Sequence, residues 1–364
     1  MKKICTDKNS ILTAFAESRI GGRSENQDSY GWQETAMGYL VTVCDGMGGG
    51  PGGKTASTIA VNEIIAGVLE AEPDEKISNV IIKAVLRANM AIIKAGNDNP
   101  KLKGMGSTAT VLLVNKNSAY VAHVGDSRIY QLRGRSKIFR TFDHSMVFEM
   151  VAQGIITEEQ ARLSAESNVI TRALGIKPDL EVDIQELAYE KGDRFLLCTD
   201  GIHGMLPDAE IVKMITTRKT ALGVVADNLA VAVDDLGRMT GGGHDNLTLA
   251  VIETNINSKL KTKMSKKVKY IIMGLMALFV ISASLNIIQC SSASSVADDT
   301  TKVKELRDSI KVAQEENNKL SAEKKNLEKA NSEQKALIDT VKKMAENGNA
   351  KSAVEIKKYL SDKK

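Results

Sequence analysis

Up to about residue 255, short apolar runs alternate with polar turns, and the period of two predicts strands over 11–17, 38–44, 108–115, 119–123, 128–132 and 137–141. The last four follow one another through turns such as Asn115-Lys116-Asn117 and Arg133-Gly134-Arg135, which predicts an antiparallel meander. Apolar spacing of three and four predicts two long helices, 53–71 and 74–95, between the second and third strands. Later strands are expected at 181–187, 194–199 and 246–253, interleaved with helices at 208–216 and 221–237. Strand runs with helix pairs argue for an α+β domain in which two sheets are covered by helices.

A different pattern follows. Residues 270–288 carry no charged side chain and are strongly apolar, and about 20 helical residues cross a hydrocarbon core. Lys261, Lys263, Lys266, Lys267 and Lys269 precede this stretch, and Asp298 and Asp299 follow it. The bias of basic residues predicts a single-pass inner-membrane protein with its N-terminal domain in the cytoplasm and its tail outside. No apolar run follows Met1-Lys2-Lys3, so no signal peptide is expected. From Val303 onward, Leu306, Ile310, Leu320, Leu327, Ile338 and Val341 mark an imperfect heptad seam with Asn317 and Asn331 at equivalent positions. The expected order is a domain at 1–255, a basic linker at 256–269, a transmembrane helix at 270–289, a linker at 290–301, a coiled coil at 302–346 and a polar tail at 347–364. The seam predicts a homodimer; a solvated single helix is the alternative.

Composition narrows the chemistry. The formal charge of +4 and the low aromatic content argue against a nucleic-acid partner, which would call for clustered basic residues. Cys5, Cys44, Cys198 and Cys290 share no close spacing, which argues against a zinc cluster and against a disulfide scaffold.

Candidate chemistry lies where strands run into acids. Val41-Thr42-Val43-Cys44 leads to Asp45-Gly46, Leu196-Leu197-Cys198-Thr199 leads to Asp200-Gly201, and Asp245-Asn246 precedes the last strand. Glycine after the acid lets the backbone turn and leaves its carbonyl approachable, as oxygen-only ligation of a hard divalent ion requires. Each Asp-Gly by itself is an ordinary turn. Two further acidic loops, Gly125-Asp126-Ser127 and Asn26-Gln27-Asp28, turn single motifs into a set.

In order and spacing the set resembles the metal-dependent protein phosphatases of the 2C type, bacterial branch, across about residues 10 to 254. The resemblance also rests on Gly22-Arg23, Gly104-Met105-Gly106-Ser107-Thr108, Asp143-His144-Ser145 and Thr171-Arg172-Ala173-Leu174-Gly175. It implies an α-β-β-α sandwich of two antiparallel sheets, two Mn²⁺ or Mg²⁺ ions, and hydrolysis of phosphoserine and phosphothreonine on proteins. By similarity Asp45 bridges both ions, the Gly46 carbonyl binds the second, and Asp200 and Asp245 complete the first. Arg23 grips the phosphate, Asp28 beside Gln27 is an outer-shell acid, Asp126 belongs to a weaker third ion, and residues 145–175 form a flap. Two ions about 3.5 to 4 Å apart lower the pKa of the water between them, so no covalent intermediate is required. The implied partners are phosphoproteins and a cognate serine/threonine kinase.

The chain departs from the eukaryotic branch at two positions. Met47 stands where a histidine proposed as general acid is found, and Gln27 replaces an acid. The leaving-group proton is then expected from water at the ions, with His244 as a second candidate, although an exposed loop histidine is the plainer reading. His123 and His203 are expected to serve packing or solvent. Two other functions compete. Gly48-Gly49-Gly50-Pro51-Gly52-Gly53-Lys54-Thr55 satisfies a nucleotide-binding P-loop, but a meander is not the parallel crossover that such an ATPase needs. A metal-poor phosphatase fold acting only as a signalling module is disfavoured by the presence of Asp45, Asp200 and Asp245.

Overall fold

The computed structural model describes residues 2–4, 11–48, 51–72, 74–218 and 220–260. The transmembrane and coiled-coil expectations, at 270–289 and 302–346, lie outside them. Among the described residues no helix is long and apolar enough to cross a membrane.

In chain order the first elements are β1 (Lys2–Lys3), β2 (Leu12–Arg19), β3 (Ser29–Thr35), β4 (Gly38–Cys44) and the two-residue β5 (Gly46–Met47). Helices α1 (Pro51–Leu69) and α2 (Ile77–Asp98) follow, then β6 (Gly106–Ser107), β7 (Ala109–Val114), β8 (Ala119–Val124), β9 (Arg128–Arg133) and β10 (Ser136–Arg140). Two short helices, α3 (Met146–Ala152) and α4 (Glu158–Arg162), precede β11 (Asp183–Leu187) and β12 (Arg194–Cys198). Helices α5 (Asp200–His203), α6 (Asp208–Ile215) and α7 (Leu222–Met239) and strand β13 (Leu247–Thr254) complete the domain.

One sheet has the order β1-β2-β13-β12-β9-β10 and the other β11-β8-β7-β4-β3. Their facing sides share a core that includes Leu112, Val121, Ile129, Phe195 and Ile252, all at most 2% exposed. On the outer face of the second sheet, α1 and α2 bury Ile64, Ile81, Val85 and Ile92 against Leu40 and Val111. On the outer face of the first, α6 and α7 bury Ile211, Val225, Leu229 and Val233 against Leu196 and Val251. Apolar strands buried on both faces read as continuous hydrophobic runs, as Ala109–Val114 does. The expected α-β-β-α sandwich is thus present in the described residues.

Two expectations change. Strand β3 was absent from the sequence pattern, because Ser29-Tyr30-Gly31-Trp32-Gln33-Glu34-Thr35 lines the edge of its sheet and needs only one buried position, Gly31. The meander also breaks in the middle. β8 pairs with β7 in one sheet and β9 pairs with β10 and β12 in the other, so the turn at Gly125-Asp126-Ser127 carries the chain between sheets. Gly125 makes that step with φ +102°, a region closed to most side chains. Every strand pairing in the described residues is antiparallel, which excludes the parallel crossovers of a P-loop ATPase.

Candidate metal centre

Register decides where the acids meet. Ser29 pairs with Cys44, which sets Asp28 beside Asp45 across β3 and β4. Cys198 pairs with both Leu249 and Arg128, which brings Asp200, Asp245 and Asp126 to the same end of the other sheet. All five carboxylates therefore lie at one end of the sandwich, and Arg23, which follows β2, joins them there.

Asp45 is fixed through its main chain. Its N–H donates to Thr108 Oγ1 at 2.9 Å, and its carbonyl accepts from Thr108 N at 2.8 Å and from Ser107 Oγ at 2.8 Å. Thr108 Oγ1 in turn lies 2.7 Å from Ser127 Oγ, which ties the Asp45 turn to the Asp126 turn. Gly46 tolerates no side chain: a Cβ there would fall 2.0 Å from the Gly53 carbonyl oxygen and 2.6 Å from that of Gln27. Asp200 opens α5 next to Asp45, and its Oδ1 is buried with no hydrogen-bond partner. Asp245 accepts from Arg23 Nη2 at 2.8 Å and from the Asn246 amide at 2.8 Å.

Burial and crowding load these groups in one direction. The Asp28 carboxyl, 2% exposed, is pushed up to about 7, first by burial and then by the charges of Asp200 and Asp245, although Thr199 Oγ1 donates to it at 3.0 Å. Asp200 rises to about 6 through burial and the nearby Asp245. Asp45 and Asp126 are raised well above the carboxylate range, by burial first and then by neighbouring acids. Clustered carboxylates in a low-dielectric site with an orphaned oxygen are relieved by bound protons or by a compensating cation. Oxygen-only donors of this kind suit Mg²⁺ or Mn²⁺.

Several residues carry parts that the sequence did not reveal. Asn246 clamps the loop before β3: its Oδ1 accepts from Gln27 N at 2.8 Å, and its Nδ2 donates to the carbonyls of Ile20 and Glu25. The Asp-Asn pair was the available signal. Lys54 donates to the Asp28 carbonyl at 2.7 Å and to Ser29 Oγ at 3.1 Å, so it braces the acid loop. Arg23 is exposed and paired with Asp245, where the resemblance gave it a phosphate. His244 is no exposed loop residue. Its ring packs on Gly237 of α7, and Nε2 lies 2.9 Å from Asp234 Oδ1. His203 is buried and holds the Asp126 carbonyl at 3.0 Å, and His123, also buried, holds that of Gly125 at 2.9 Å. In the 145–175 segment, α3 and α4 share a small core of Val147, Phe148 and Ala161. Phe148 also lies under Arg128, whose guanidinium is bound to Asp143 in a buried pair.

A family model described as Protein phosphatase 2C matches residues 17–224. The chain belongs to the protein phosphatase 2C family. Serine/threonine phosphatase stp of Listeria innocua is 31% identical over 249 residues, which cover 67% of this chain and 96% of that one. Among solved structures, serine/threonine phosphatase Stp1 from Staphylococcus aureus superposes with TM-score 0.63 at 26% identity, covering 70% of this chain and all of that one. The catalytic domain of the serine/threonine protein phosphatase PstP, in complex with two manganese ions, superposes with TM-score 0.55 at 31% identity over 67% of this chain and 98% of that one. In this protein phosphatase 2C chain, the matched span holds Asp28, Asp45, Asp126 and Asp200, and Asp245 lies just beyond it.

Proposed function

We propose that this chain hydrolyses phosphoserine and phosphothreonine on proteins with two divalent ions, Mn²⁺ or Mg²⁺, held by Asp45, the Gly46 carbonyl, Asp200 and Asp245. The observation that carries the reading is the convergence of five acids at one end of the sandwich around the unpartnered Asp200 Oδ1. The family membership and the manganese-bound PstP relative support it. When bound, two such ions activate water for in-line attack and neutralise charge at the phosphoryl group.

The chain's own residues do the rest. Arg23, at the solvent edge of the cluster, is placed to bind a phosphate dianion with its guanidinium fork. Asp28, backed by Thr199 and braced through its carbonyl by Lys54, offers its carboxyl as an acceptor that holds water beside the acids. Asp126 takes a weaker third ion. Met47 offers no proton for the leaving alkoxide, and His244 is committed to Asp234 at Nε2 and buried at Nδ1, so solvent at the cluster supplies it.

Phosphate release from a phosphothreonine peptide by the full chain is expected to depend on added Mn²⁺ or Mg²⁺ and to stop with EDTA. Turnover confined to ATP, or none with Mn²⁺, would overturn the reading.

The anchor at 270–289 would hold the domain at the inner membrane face near phosphoproteins and a cognate kinase, with pairing of two copies through 302–346. Residue 260 lies beside the turn at Asn117, at the end of the strands opposite the acids. The chain is expected to stay in the membrane pellet after an alkaline carbonate wash; release into the supernatant would remove the anchor.

A further inference from the structure

Asp143-His144-Ser145 lies outside the acid cluster, yet all three side chains are engaged. Asp143 takes the Arg128 guanidinium through Nε at 2.8 Å and Nη2 at 2.6 Å. Ser145 Oγ caps α3 by accepting from Phe148 N. His144 makes the less ordinary set of contacts. Its backbone N–H donates to the Gly125 carbonyl at 2.9 Å, and its Nδ1 accepts from the Gly125 N–H at 3.1 Å. One residue thereby satisfies both backbone groups of the glycine that precedes Asp126.

His144 also stands where the flap begins and ends. Its carbonyl accepts from Thr171 N at 2.8 Å, Ser145 bridges Ile170, and Met146 N donates to Val169 O at 3.0 Å. On the far side of the ring, Nε2 lies 3.3 Å from Asp183 Oδ2 of β11 and 3.3 Å from Arg172 Nη1, which as a donor makes no hydrogen bond to a protonated Nε2. The Asp126 turn, both ends of the flap and an edge strand therefore meet on one imidazole.

A metal site at this imidazole is the competing use, because His123, His144 and Asp183 bring ligand atoms within 4.8 Å of one another. Two contacts oppose it. The Gly125 N–H occupies the Nδ1 lone pair, which leaves the ring proton on Nε2 facing Asp183. Arg172 Nη1 lies 2.8 Å from Asp183 Oδ1 and brings a fixed positive charge to the same spot. The cluster is already satisfied as a hydrogen-bonded set.

Beyond Gly125, Asp126 and Asp200 line a cavity of about 50 Å³ with Phe148 and Asn168 on its flap side, and the two arginines on its lining, Arg128 and Arg162, are each paired with another acid, Asp143 and Glu159. We propose that His144 is a positioning residue that holds the Gly125-Asp126 turn and the base of the flap, so that Asp126 and Asp200 together take the weaker divalent ion. The proposal rests on the reading that Asp126 serves a third ion. Groups hydrogen-bonded to a ligating side chain affect metal affinity about 10- to 100-fold, and His144, which holds the backbone one residue before Asp126, is expected at the lower end of that range.

The test counts bound Mn²⁺ in the full chain by the electron paramagnetic resonance signal of the free ion, together with amide exchange at Gly125. Wild type is expected to show a tight class and a weak class of sites. In His144→Ala the weak class should lose at least about tenfold in affinity, with the tight class unchanged and faster exchange at Gly125. His144→Asn places an oxygen where Nδ1 stood and should restore both readouts, whereas His144→Gln reaches the Nε2 position and should not. A weak class or a Gly125 exchange rate unmoved in His144→Ala would overturn the proposal, as would equal loss of both classes in the Ala and Asn variants. Lack of any weak class in wild type would instead remove the third-ion reading itself, and the proposal with it.

Discussion

Asp45→Asn is expected to lower kcat/KM toward a phosphothreonine peptide by more than about a hundredfold, beyond the cost of losing an outer-shell partner. The side chain keeps its shape but gives up the charge that faces Asp28, Asp126, Asp200 and Asp245. The turn itself should survive, because Thr108 and Ser107 hold it through main-chain groups that the substitution leaves in place. The same variant should raise the melting temperature of the protein in EDTA, since the cost of burying an acid at this position is gone. Opposite signs in the two measurements separate a metal-centre role from damage to the fold. A variant as active as wild type would take Asp45 out of the centre.

Stability of the metal-stripped protein is expected to fall as pH rises from 5 to 8, and divalent ions should reverse the trend. The sign follows from Asp28. Its folded pKa of about 7 lies above the 3.8 of a free carboxyl, so the folded state holds a proton that the unfolded chain has lost. The stability associated with that proton is fully present below about pH 4 and is lost as pH passes through 7. The interval corresponds to roughly 4 kcal/mol as an upper figure, and Asp200, raised to about 6, acts in the same direction. For a domain of this size that is roughly 5 to 10 °C in melting temperature. Bound Mn²⁺ replaces the protons, so the gap between loaded and EDTA-treated melting curves should widen toward pH 8. A gap that is constant with pH would argue against a coupled acid cluster.

Much of the sandwich was readable from local pattern because its strands are apolar on both faces and its helices carry one apolar stripe. Residues 38–44 and 109–114 show this most clearly, and their ends fall within a residue or so of the predicted ones. An edge strand lacks that signal, which is why Ser29–Thr35 was missed. A turn between sheets cannot be told from a hairpin turn by composition, which is why Gly125-Asp126-Ser127 read as part of a meander.

The acids were legible for a related reason: carboxylates at apolar strand ends, three of them followed by glycine or asparagine and two by serine, are few and stand out against their surroundings. Their convergence was not, because the proximity of residues as distant in the chain as Asp28 and Asp245 depends on strand register. Histidines were the hardest to read. One short polar ring fits a loop, a core or a site equally well, and only packing put His244 on α7 and His144 between Gly125 and Asp183. The sequence by itself determined the α+β class and the set of acids, through periodicity and residue type along the chain, and the order and spacing of its motifs carried the resemblance to the family. Only the tertiary structure decided which acids share one end, which oxygen of Asp200 is left unpartnered and what each histidine holds, because those depend on contacts between segments far apart in the chain.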